Sequence, residues 1–410
     1  MSTSELYVFA PLAGELALAG RINWQAGVGE FRYAGSWLNA EHAYALDPRN
    51  LVLDDAPITT SINGGIPGVL ADAGPDAWGK RLLEIQRGKV PDTPLEILRV
   101  TNGAGTGALR FSQSRERPAP IRPLSPPATI AQLEEGARNV DAGDPVTQRV
   151  FAQIFASGSS LGGARPKANV EMDQMAWIAK FARADDSIDI PRVEWACLSL
   201  ARAAGIDVPD HKLVEVNNRA VLLVRRFDRD GADAVHYLSL HALLSAERLS
   251  AHDVTAPEGT CTYGGLASLC RQIGVADAGR IMFRRMIMNI AIGNTDDHLR
   301  NHGLLHDANG WRFAPAFDLT AIGGNQQAIG IGTEGRTATR DNALTDLPRF
   351  GLNLPEAQAI MADVDQALQA APATLEEAGL KPQEIARVLQ RMQRQHAHQD
   401  EDDASPSPRP

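Results

Sequence analysis

A chain of 410 residues that is 44% hydrophobic and 22% charged has the length of two to three globular domains, and its net charge of −10 argues against a surface that wraps DNA directly. No two of its three cysteines form a C-x-x-C motif, which argues against a structural zinc site. So few cysteines are typical of a protein in a reducing cytoplasm. No apolar run approaches the roughly 20 residues of a membrane span, and the N-terminus lacks the basic segment of a secretory signal.

The first part of the chain mixes short strand-like and helical segments. Residues 32–38 predict a strand and residues 75–86 a helix, so we interpret residues 1–112 as an α+β subdomain. Residues 113–130 are rich in Pro, Ser and Arg, which is typical of a linker. At the other end of the chain, residues 397–410 are acidic and then rich in Pro and Ser, which predicts a disordered tail.

A glycine-rich block at residues 156–167 follows the predicted linker. Its small residues let backbone N–H groups approach a polyphosphate closely, and Arg165 and Lys167 add positive charge. The block matches neither G-x-x-x-x-G-K-[ST] nor G-x-G-x-x-G, so a flexible surface turn is the alternative. Two predicted strands come next, with Lys180, one of only six lysines in the chain, inside the second. A strand lysine behind a glycine-rich loop is how protein kinases hold nucleotide phosphates.

The order of elements in residues 131–233 is that of a kinase N-lobe. Pro191 begins a predicted helix, and Glu194 on that helix is a candidate partner for the strand lysine. A hairpin is predicted around residues 217–219. Its second strand leads into residues 225–229, which would form the hinge between lobes, where backbone groups can contact adenine.

The segment at residues 234–396 is mainly helical and predicts a C-lobe. Helices are predicted at residues 239–245, 263–273, 280–292, 354–370 and 382–395. The helix at residues 280–292 is apolar on almost every face, which indicates that it is buried. A polar loop follows this helix, and residues 311–318 then predict a short strand that ends in an aspartate.

Asp296, Asn301 and Asp318 carry the most informative pattern in the chain. Asp296 precedes Asn301 by five residues, as in the kinase catalytic loop H-R-D-x-x-x-x-N, and Asp318 corresponds to the later D-F-G aspartate. There, one carboxylate orients the attacking hydroxyl, while the amide and the second carboxylate hold Mg²⁺ on the ATP phosphates. Asp297 adjoins Asp296, and only the spacing to Asn301 selects between them. An aspartate-rich turn that merely ends a helix is the alternative.

A competing chemistry is present in the same segment. His298, His302 and His306 recur every four residues, and on a helix this spacing would place three imidazoles on one face as metal ligands. Gly303 argues against such a helix, and no H-E-x-x-H motif supplies a base beside the metal. We therefore favour the phosphoryl-transfer interpretation over a metallohydrolase.

Residues 160–167 (SLGGARPK), 224–229 (VRRFDR), 294–301 (NTDDHLRN) and 317–318 (FD) form four ordered motifs. Together they resemble the HipA family of serine/threonine-kinase toxins from bacterial toxin–antitoxin pairs. The family's leading domain is also similar, at residues 68–79 and 103–109, and the resemblance extends over residues 16–380. It implies an α+β, bilobal, protein-kinase-like fold with a mainly helical C-lobe and an additional N-terminal α+β subdomain.

The resemblance implies a role for each matched residue. Asp296 is the expected catalytic base, and Asn301 and Asp318 are the expected Mg²⁺ ligands. Ser160 matches the serine that family members autophosphorylate to switch the enzyme off. The expected ATP-binding residues belong to the phosphate loop, the strand lysine, the hinge and the two C-lobe loops: Gly162, Gly163, Ala164, Arg165, Pro166, Lys167, Lys180, Arg225, Arg226, Phe227, His298, Leu299, Arg300, Asn301, Phe317 and Asp318.

Two positions depart from the best-known pattern of the family. Arg225 stands where that pattern has Glu, but a hinge acts through its backbone, so we expect nucleotide binding to survive. The loop reads Gly-Gly-Ala-Arg-Pro-Lys rather than Ala-Gly-Ala-Gln-Glu-Lys, which predicts a different mobility.

The function implied by the resemblance is a cytoplasmic, ATP- and Mg²⁺-dependent serine/threonine-protein kinase that arrests growth as the toxin of a toxin–antitoxin pair. The expected partners are a small helix-turn-helix antitoxin, operator DNA contacted mainly through that antitoxin, and a protein substrate, which in the family can be an aminoacyl-tRNA synthetase. One alternative is a HipA-like kinase with a different, non-toxic substrate. The other is a catalytically silent co-repressor that only scaffolds the DNA-binding partner.

Overall fold

The structure, a computed structural model, describes residues 4–101, 105–118, 129–142, 165–230, 233–250, 253, 256 and 259–393. The predicted phosphate-loop residues Gly162, Gly163 and Ala164, the predicted phosphorylation site Ser160 and the predicted tail lie outside the described residues. The chain divides into two compact units. Unit 1 comprises residues 1–186, 209–249 and 302–314, and unit 2 comprises residues 187–208, 250–301 and 315–410.

Unit 1 begins with an antiparallel sheet of five strands in the order β4-β3-β2-β1-β5. Its strands are β1 (Glu5–Leu12), β2 (Glu15–Gln25), β3 (Val28–Tyr33), β4 (Ile58–Thr60) and β5 (Arg110–Ser112). The first two hairpins turn on Ala-Gly pairs whose four residues all have positive φ, a turn that matches the twist of the paired strands. Four helices lie between β3 and β5: α1 (Gly35–Leu38), α2 (Gly68–Asp72), α3 (Ala77–Arg87) and α4 (Pro94–Val100). We call residues 4–112 the N-terminal module.

A second antiparallel sheet, in the order β6-β7-β9-β8, carries the predicted N-lobe residues. It follows α5 (Ile130–Ala142) and consists of β6 (Lys167–Met172), β7 (Met175–Phe181), β8 (His211–Val216) and β9 (Arg219–Arg225). The predicted hairpin is confirmed, because Asn217 and Asn218, both with positive φ, join β8 to β9. Asparagine tolerates the left-handed conformation better than most residues.

The rest of unit 1 consists of small elements around the hinge. These are β10 (Arg229–Asp230), β11 (Asp233–Ala234), β12 (His236–Ser239), α6 (Leu240–Leu244), β13 (Gly303–Asp307) and β14 (Gly310–Phe313). Strands β12, β13 and β14 form an antiparallel sheet in sequence order.

One hydrophobic cluster joins the N-terminal module to the second sheet within unit 1. Trp78 and Leu82 of α3 pack with apolar residues of α5, with Val170 of β6 and with Trp177 of β7. Both tryptophans are buried, and burial of large aromatic side chains dominates the energetics of such cores. The N-terminal module therefore shares its core with the predicted N-lobe.

Unit 2 is helical. Its helices are α7 (Ile190–Ala203), α8 (Tyr263–Gln272), α9 (Ala278–Ile292), α10 (Arg340–Leu344), α11 (Leu347–Phe350), α12 (Leu354–Leu368), α13 (Ala371–Glu377) and α14 (Pro382–Gln393). The helices predicted at residues 263–273, 280–292, 354–370 and 382–395 are confirmed within the described residues, with shifts of a few residues at their ends. The helix predicted at residues 239–245 is α6 of unit 1. Helix α9 is buried on nearly every face, as its apolar sequence predicts.

Two predicted strands end earlier than the sequence indicated. The strand predicted at residues 32–38 ends at Tyr33, and a helical turn with the buried Trp37 follows. The strand predicted to reach Asp318 ends at Phe313. Pro315 follows two residues later and has no N–H to donate to a strand ladder, which accounts for the second difference.

Within the residues that the structure describes, no helix is long and apolar enough to cross a membrane.

Candidate active site

The predicted catalytic loop begins where helix α9 ends at Gly293. This glycine has φ 68°, and its N–H and that of Asn294 donate to the carbonyls of Ile290 and Asn289, which closes the helix with a left-handed cap. A Cβ at position 293 would lie 2.9 Å from the Arg391 carbonyl oxygen. The start of the loop is therefore fixed by backbone geometry that only glycine satisfies without strain.

The two adjacent aspartates of the loop have opposite environments. Asp297 is 2% exposed, and its Oδ2 accepts hydrogen bonds from the Tyr263 hydroxyl and from Asn289 Nδ2 at 2.6 Å. Asp296 is exposed. The carboxylate of Asp297 is thus engaged by buried donors, whereas that of Asp296 faces solvent, where a substrate hydroxyl can reach it.

The donors around Asp297 are themselves buried. Burial, followed by the charge of Asp297, raises the pKa of Tyr263 well above its ordinary value, so the phenol remains a donor at neutral pH. Burial lowers the pKa of the neighbouring Arg285 to about 10, and Asp297 opposes that shift. Asn294 Nδ2 extends the network by donating to Asn289 Oδ1 at 2.9 Å. The network holds the middle of the loop against helices α8 and α9.

Asn301 has the features of a cation ligand. It closes the 3₁₀ turn Leu299–Asn301, where its N–H donates to the His298 carbonyl at 2.8 Å. Its side chain is buried, with Nδ2 donating to the Asp296 carbonyl at 3.3 Å, and its Oδ1 is buried with no hydrogen-bond partner among the residues that the structure describes. A buried oxygen of this kind requires a donor or a cation, and Mg²⁺ prefers oxygen ligands. The residues present therefore fit a magnesium ion.

Asp318 is half-buried and has φ 62°, a left-handed backbone conformation that is uncommon outside glycine but that aspartate adopts more readily than most residues. The chain that follows Asp318 is tied to the catalytic loop, because Gly323 N–H donates to the Gly293 carbonyl at 2.8 Å and Thr295 Oγ1 donates to the Gly323 carbonyl at 3.1 Å. Within unit 2, the segment that follows Asp318 thus lies against the start of the predicted catalytic loop.

The described end of the predicted phosphate loop is held by acidic residues. Arg165 is exposed, and its Nη1 lies 2.9 Å from both Asp186 carboxylate oxygens. Lys167 is 4% exposed, and its Nζ lies 2.7 Å from a carboxylate oxygen of Asp76. Lys180 is half-buried in β7, between β6 and β9 and directly opposite Lys167. Like charges opposite each other on adjacent strands are unfavourable, and Asp76 offsets this repulsion.

The hinge residues use part of their backbone within unit 1. The N–H of Arg225 donates to the Asp210 carbonyl at 2.7 Å, and that of Arg226 donates to the Ala176 carbonyl at 2.9 Å. Adenine would therefore have to contact carbonyl oxygens of this segment or the backbone of the half-buried Phe227. Arg225 stands where the best-known family pattern has Glu, and this departure is consistent with the arrangement. The Arg225 side chain lies at the surface of the unit, with Nη1 3.5 Å from Asp210 Oδ2, while the contacts of the segment are made by its backbone.

Asp228 stabilises the predicted hinge through hydrogen bonds to its arginines. It is completely buried and accepts two hydrogen bonds from Arg226, at 2.9 and 2.6 Å, and one from Arg229 at 2.8 Å. Burial opposes its ionisation, but the two guanidiniums outweigh burial and hold the pKa of that carboxyl well below its usual range. The carboxylate is therefore charged and fixes the conformation of the VRRFDR segment.

The three-histidine alternative fails on local structure. Residues 298–306 do not form a helix, since a 3₁₀ turn at residues 299–301 is followed by strand β13. His306 stacks on Tyr44 at 4.0 Å between ring centroids. Among the described residues, no group of three or more His, Cys, Asp or Glu side chains is arranged to hold a metal ion. A magnesium site made of one amide, one carboxylate and substrate phosphates does not need such a group.

Two domain families match most of this chain. Residues 13–112 match the HipA N-terminal domain, and residues 159–400, more than half of the chain, match the HipA-like C-terminal domain. The chain belongs to the HipA family. The resemblance inferred from the four motifs is thereby confirmed.

The solved structures show the fold of this HipA-family chain. A chain of the Shewanella oneidensis MR-1 toxin–antitoxin complex of HipA, HipB and operator DNA superposes with a TM-score of 0.67 at 17% identity, covering 98% of this chain and 100% of that chain. The predicted α+β, kinase-like fold is confirmed.

Two curated relatives are similar over part of their length. The Sinorhizobium fredii protein "Putative kinase Y4mE" is 30% identical over 257 residues, 58% of this chain and 60% of that protein. A second protein of that organism, "Putative kinase Y4dM", is 27% identical over 161 residues, 35% of this chain and 37% of that protein. The chain thus spans less than two thirds of the relatives it matches.

Three residues that shape the site were given no role by the sequence. Asp76 lies at a helix N-cap, where Asp is common for a local reason, so its second contact with Lys167 had no sequence signal. Tyr263 precedes Asp297 by 34 residues, and Asn289 lies within an apolar helix. The pairing of Lys180 with Glu194 stays a prediction, because Lys180 belongs to unit 1 and the buried Glu194 belongs to unit 2.

Replacing Tyr263 by Phe tests the buried network. The variant removes one donor from a buried carboxylate, so we expect the free energy of unfolding to fall by roughly 2 kcal/mol, measured by urea denaturation. Tyr7→Phe on β1, a half-buried tyrosine in unit 1, is the matched control and should change stability by less than about 0.5 kcal/mol. Equal effects of the two variants would show that the Tyr263 hydroxyl does not support the loop.

Proposed function

We propose that this HipA-family chain is an ATP- and Mg²⁺-dependent serine/threonine-protein kinase that acts as the toxin of a toxin–antitoxin pair. The observation that carries the proposal is the contrast within the catalytic loop. Asp296 is exposed, its neighbour Asp297 is engaged by buried donors, and the described part of the chain supplies no hydrogen-bond partner for one side-chain oxygen of the buried Asn301. A free carboxylate next to an unsatisfied amide oxygen is the arrangement that phosphoryl transfer requires.

In this mechanism each loop has a separate task. Asp296 accepts the proton of a Ser or Thr hydroxyl and aims its oxygen at the γ-phosphorus; the new O–P bond forms as the bond between the γ-phosphorus and the β,γ-bridging oxygen breaks, and ADP leaves. Asn301 Oδ1 and the Asp318 carboxylate would hold Mg²⁺, which when bound neutralises phosphate charge. The phosphate loop up to Lys167, with Lys180, would bind the phosphates, and the hinge at Arg225–Phe227 the adenine. His298, Leu299, Arg300 and Phe317 are the further residues proposed to bind ATP.

The toxin–antitoxin assignment is supported by family membership and by the structural neighbour, which was solved with HipB and operator DNA. We infer a small helix-turn-helix antitoxin as the partner. Operator DNA would be bound mainly through that antitoxin, because the chain's net charge of −10 is unfavourable for direct contact with phosphates. The protein substrate would be phosphorylated in the cytoplasm, and an aminoacyl-tRNA synthetase is one candidate class.

Charge-removing variants separate the base from the metal ligands. We expect Asp296→Asn to lower kcat by roughly 10²- to 10⁴-fold with little change in ATP affinity, because it removes a proton acceptor but no phosphate contact. Asp318→Ala should in addition weaken Mg·ATP binding by at least roughly tenfold, because a charged ligand is lost. Kinase assays and isothermal titration calorimetry measure the two quantities.

Asp341→Asn is the matched control for these variants, since Asp341 is an exposed aspartate of the same unit. It should leave kcat and ATP affinity unchanged. Asp297→Asn should act mainly by lowering the melting temperature. If Asp297→Asn were inactive but stably folded and Asp296→Asn were active, the base would be Asp297 and the assignment of Asp296 would be wrong.

Ser160 is the proposed site of self-inactivation. Phosphate on this residue, two positions before Gly162, would add negative charge where ATP phosphates are expected to bind. Incubation of the chain with Mg·ATP should add about 80 Da, the mass of one phosphoryl group, to Ser160. Ser160→Ala should abolish this addition and Ser157→Ala should not; the reverse result would place the site elsewhere in the loop.

Expression of the chain without a partner distinguishes a toxin from a silent scaffold. The wild-type chain should arrest growth, and Asp296→Asn should not, because arrest requires phosphorylation of an essential target. Immunoblotting should show equal amounts of both proteins. A scaffold predicts the same growth for both chains, since the exposed substitution leaves the fold and the remaining surface intact.

A further inference from the structure

The N-terminal module contacts the predicted phosphate loop through helix α3. Asp76 caps this helix, with Oδ1 accepting from Gly79 N–H at 2.8 Å, while its other carboxylate oxygen lies 2.7 Å from Lys167 Nζ. Trp78 Nε1 donates to the Lys167 carbonyl at 3.0 Å. Both ends of Lys167, its ammonium and its backbone, are therefore held by two residues of one helix turn.

A second contact of the same module reaches the hinge through backbone groups. Gly107 N–H donates to Asp228 Oδ2 at 2.7 Å, and the Gly107 carbonyl accepts from Arg229 Nη1 at 2.9 Å. The Gly105 carbonyl accepts from Arg226 Nη2 at 2.8 Å and from Arg229 Nη2 at 3.2 Å. Four hydrogen bonds, all to charged side chains, thus join residues 105–107 to the VRRFDR segment, and such bonds are stronger than neutral ones.

The glycines in this contact are required by space. A Cβ at Gly105 would lie 1.9 Å from the Ala73 carbonyl oxygen, and one at Gly107, where φ is 77°, would lie 2.8 Å from Tyr237 Cβ. The chain can approach the hinge this closely only without side chains.

The charge balance of the cluster depends on Asp228. Arg110, Arg226 and Arg229 place three largely buried guanidiniums near this carboxylate, and Arg110 Nε is buried with no hydrogen-bond partner in the described part of the chain. Excess positive charge away from water is unfavourable, and the carbonyls of Gly105 and Gly107 reduce that cost. The hinge conformation therefore depends on backbone oxygens that the N-terminal module supplies.

We propose that the N-terminal module is a positioning element of the nucleotide site, with Asp76 and Trp78 fixing the end of the phosphate loop and Gly105 and Gly107 fixing the hinge. This inference rests on the proposed kinase function. Arg229 and Asp76 are positioning residues in this scheme, because they act through the hinge and through Lys167. Loss of either contact should weaken nucleotide binding, while the catalytic loop of unit 2 keeps its own support.

Arg229→Gln in the full-length chain tests the hinge contact. The dissociation constant of the ATP analogue AMP-PNP with Mg²⁺ and the KM for ATP should both rise roughly tenfold, about 1.4 kcal/mol, while kcat changes less than about twofold. Hydrogen exchange of the amides at residues 225–229 should become faster. Arg99→Gln is the matched control, because Arg99 pairs with Glu96 on its own helix in the same module, and it should change none of these quantities.

Asp76→Asn tests the loop contact independently, so the inference can still be tested if Arg229→Gln does not fold. Asparagine keeps the helix cap through its Oδ1, but it removes the charge and places an amide NH₂ group where the second oxygen faced Lys167. It should raise the dissociation constant of AMP-PNP several-fold in protein that circular dichroism shows to be folded at the assay temperature, with a lowered melting temperature because a buried ion pair is lost. If both variants fold and bind the analogue as tightly as wild type, the inference is overturned.

A wild-type chain that binds no AMP-PNP would overturn the proposed function instead. In that case hydrogen exchange alone tests whether the N-terminal module fixes the hinge. Faster exchange at residues 225–229 in Arg229→Gln, with Arg99→Gln unchanged, supports the contact, and unchanged exchange in both overturns it.

Discussion

A carboxylate that is shielded from water must find its donors within the protein, and two such carboxylates organise this molecule. Asp297 takes its donors from Tyr263 and Asn289 and so holds the catalytic loop of unit 2. Asp228 takes its donors from two arginines and the Gly107 N–H and so holds the hinge of unit 1. In each case the loss of one donor leaves a buried charge under-solvated, which is more costly than the loss of an ordinary hydrogen bond.

This constraint explains how adjacent aspartates acquire different environments. Asp296 and Asp297 are identical in chemistry and one residue apart, but only one of them can point into the protein. The buried donors select Asp297, and Asp296 is left at the surface with a free carboxylate. Asn301 Oδ1 is the complementary case, a buried acceptor for which the described residues supply no donor. Such an imbalance is unfavourable in the free protein and becomes favourable when a cation is bound.

The N-terminal module is part of the same fold energetics and not an independent appendage. Trp78 lies in the hydrophobic cluster of the second sheet, and residues 105–107 complete the charge cluster of the hinge. Removal of the module would expose part of that core and leave the guanidiniums of Arg226 and Arg229 without their carbonyl acceptors. A binding event that displaces the module would consequently affect the hinge and the phosphate-loop strand together.

The sequence by itself determined the family, the longer helices of unit 2 and the hairpins of the second sheet, because periodicity, caps and turn residues are local signals. The short helices α10, α11 and α13 were not predicted. It also selected Asp296, Asn301 and Asp318 as the residues of interest through their spacing. Tertiary structure alone decided which aspartate is buried, that Lys167 pairs with Asp76, and that the hinge is held by Gly105 and Gly107. These contacts join residues 8 to 124 positions apart, and their donors and acceptors follow no period along the chain. The strand before Asp318 ended early for a reason visible in the sequence, Pro315, but the left-handed backbone of Asp318 itself depends on the packing around it.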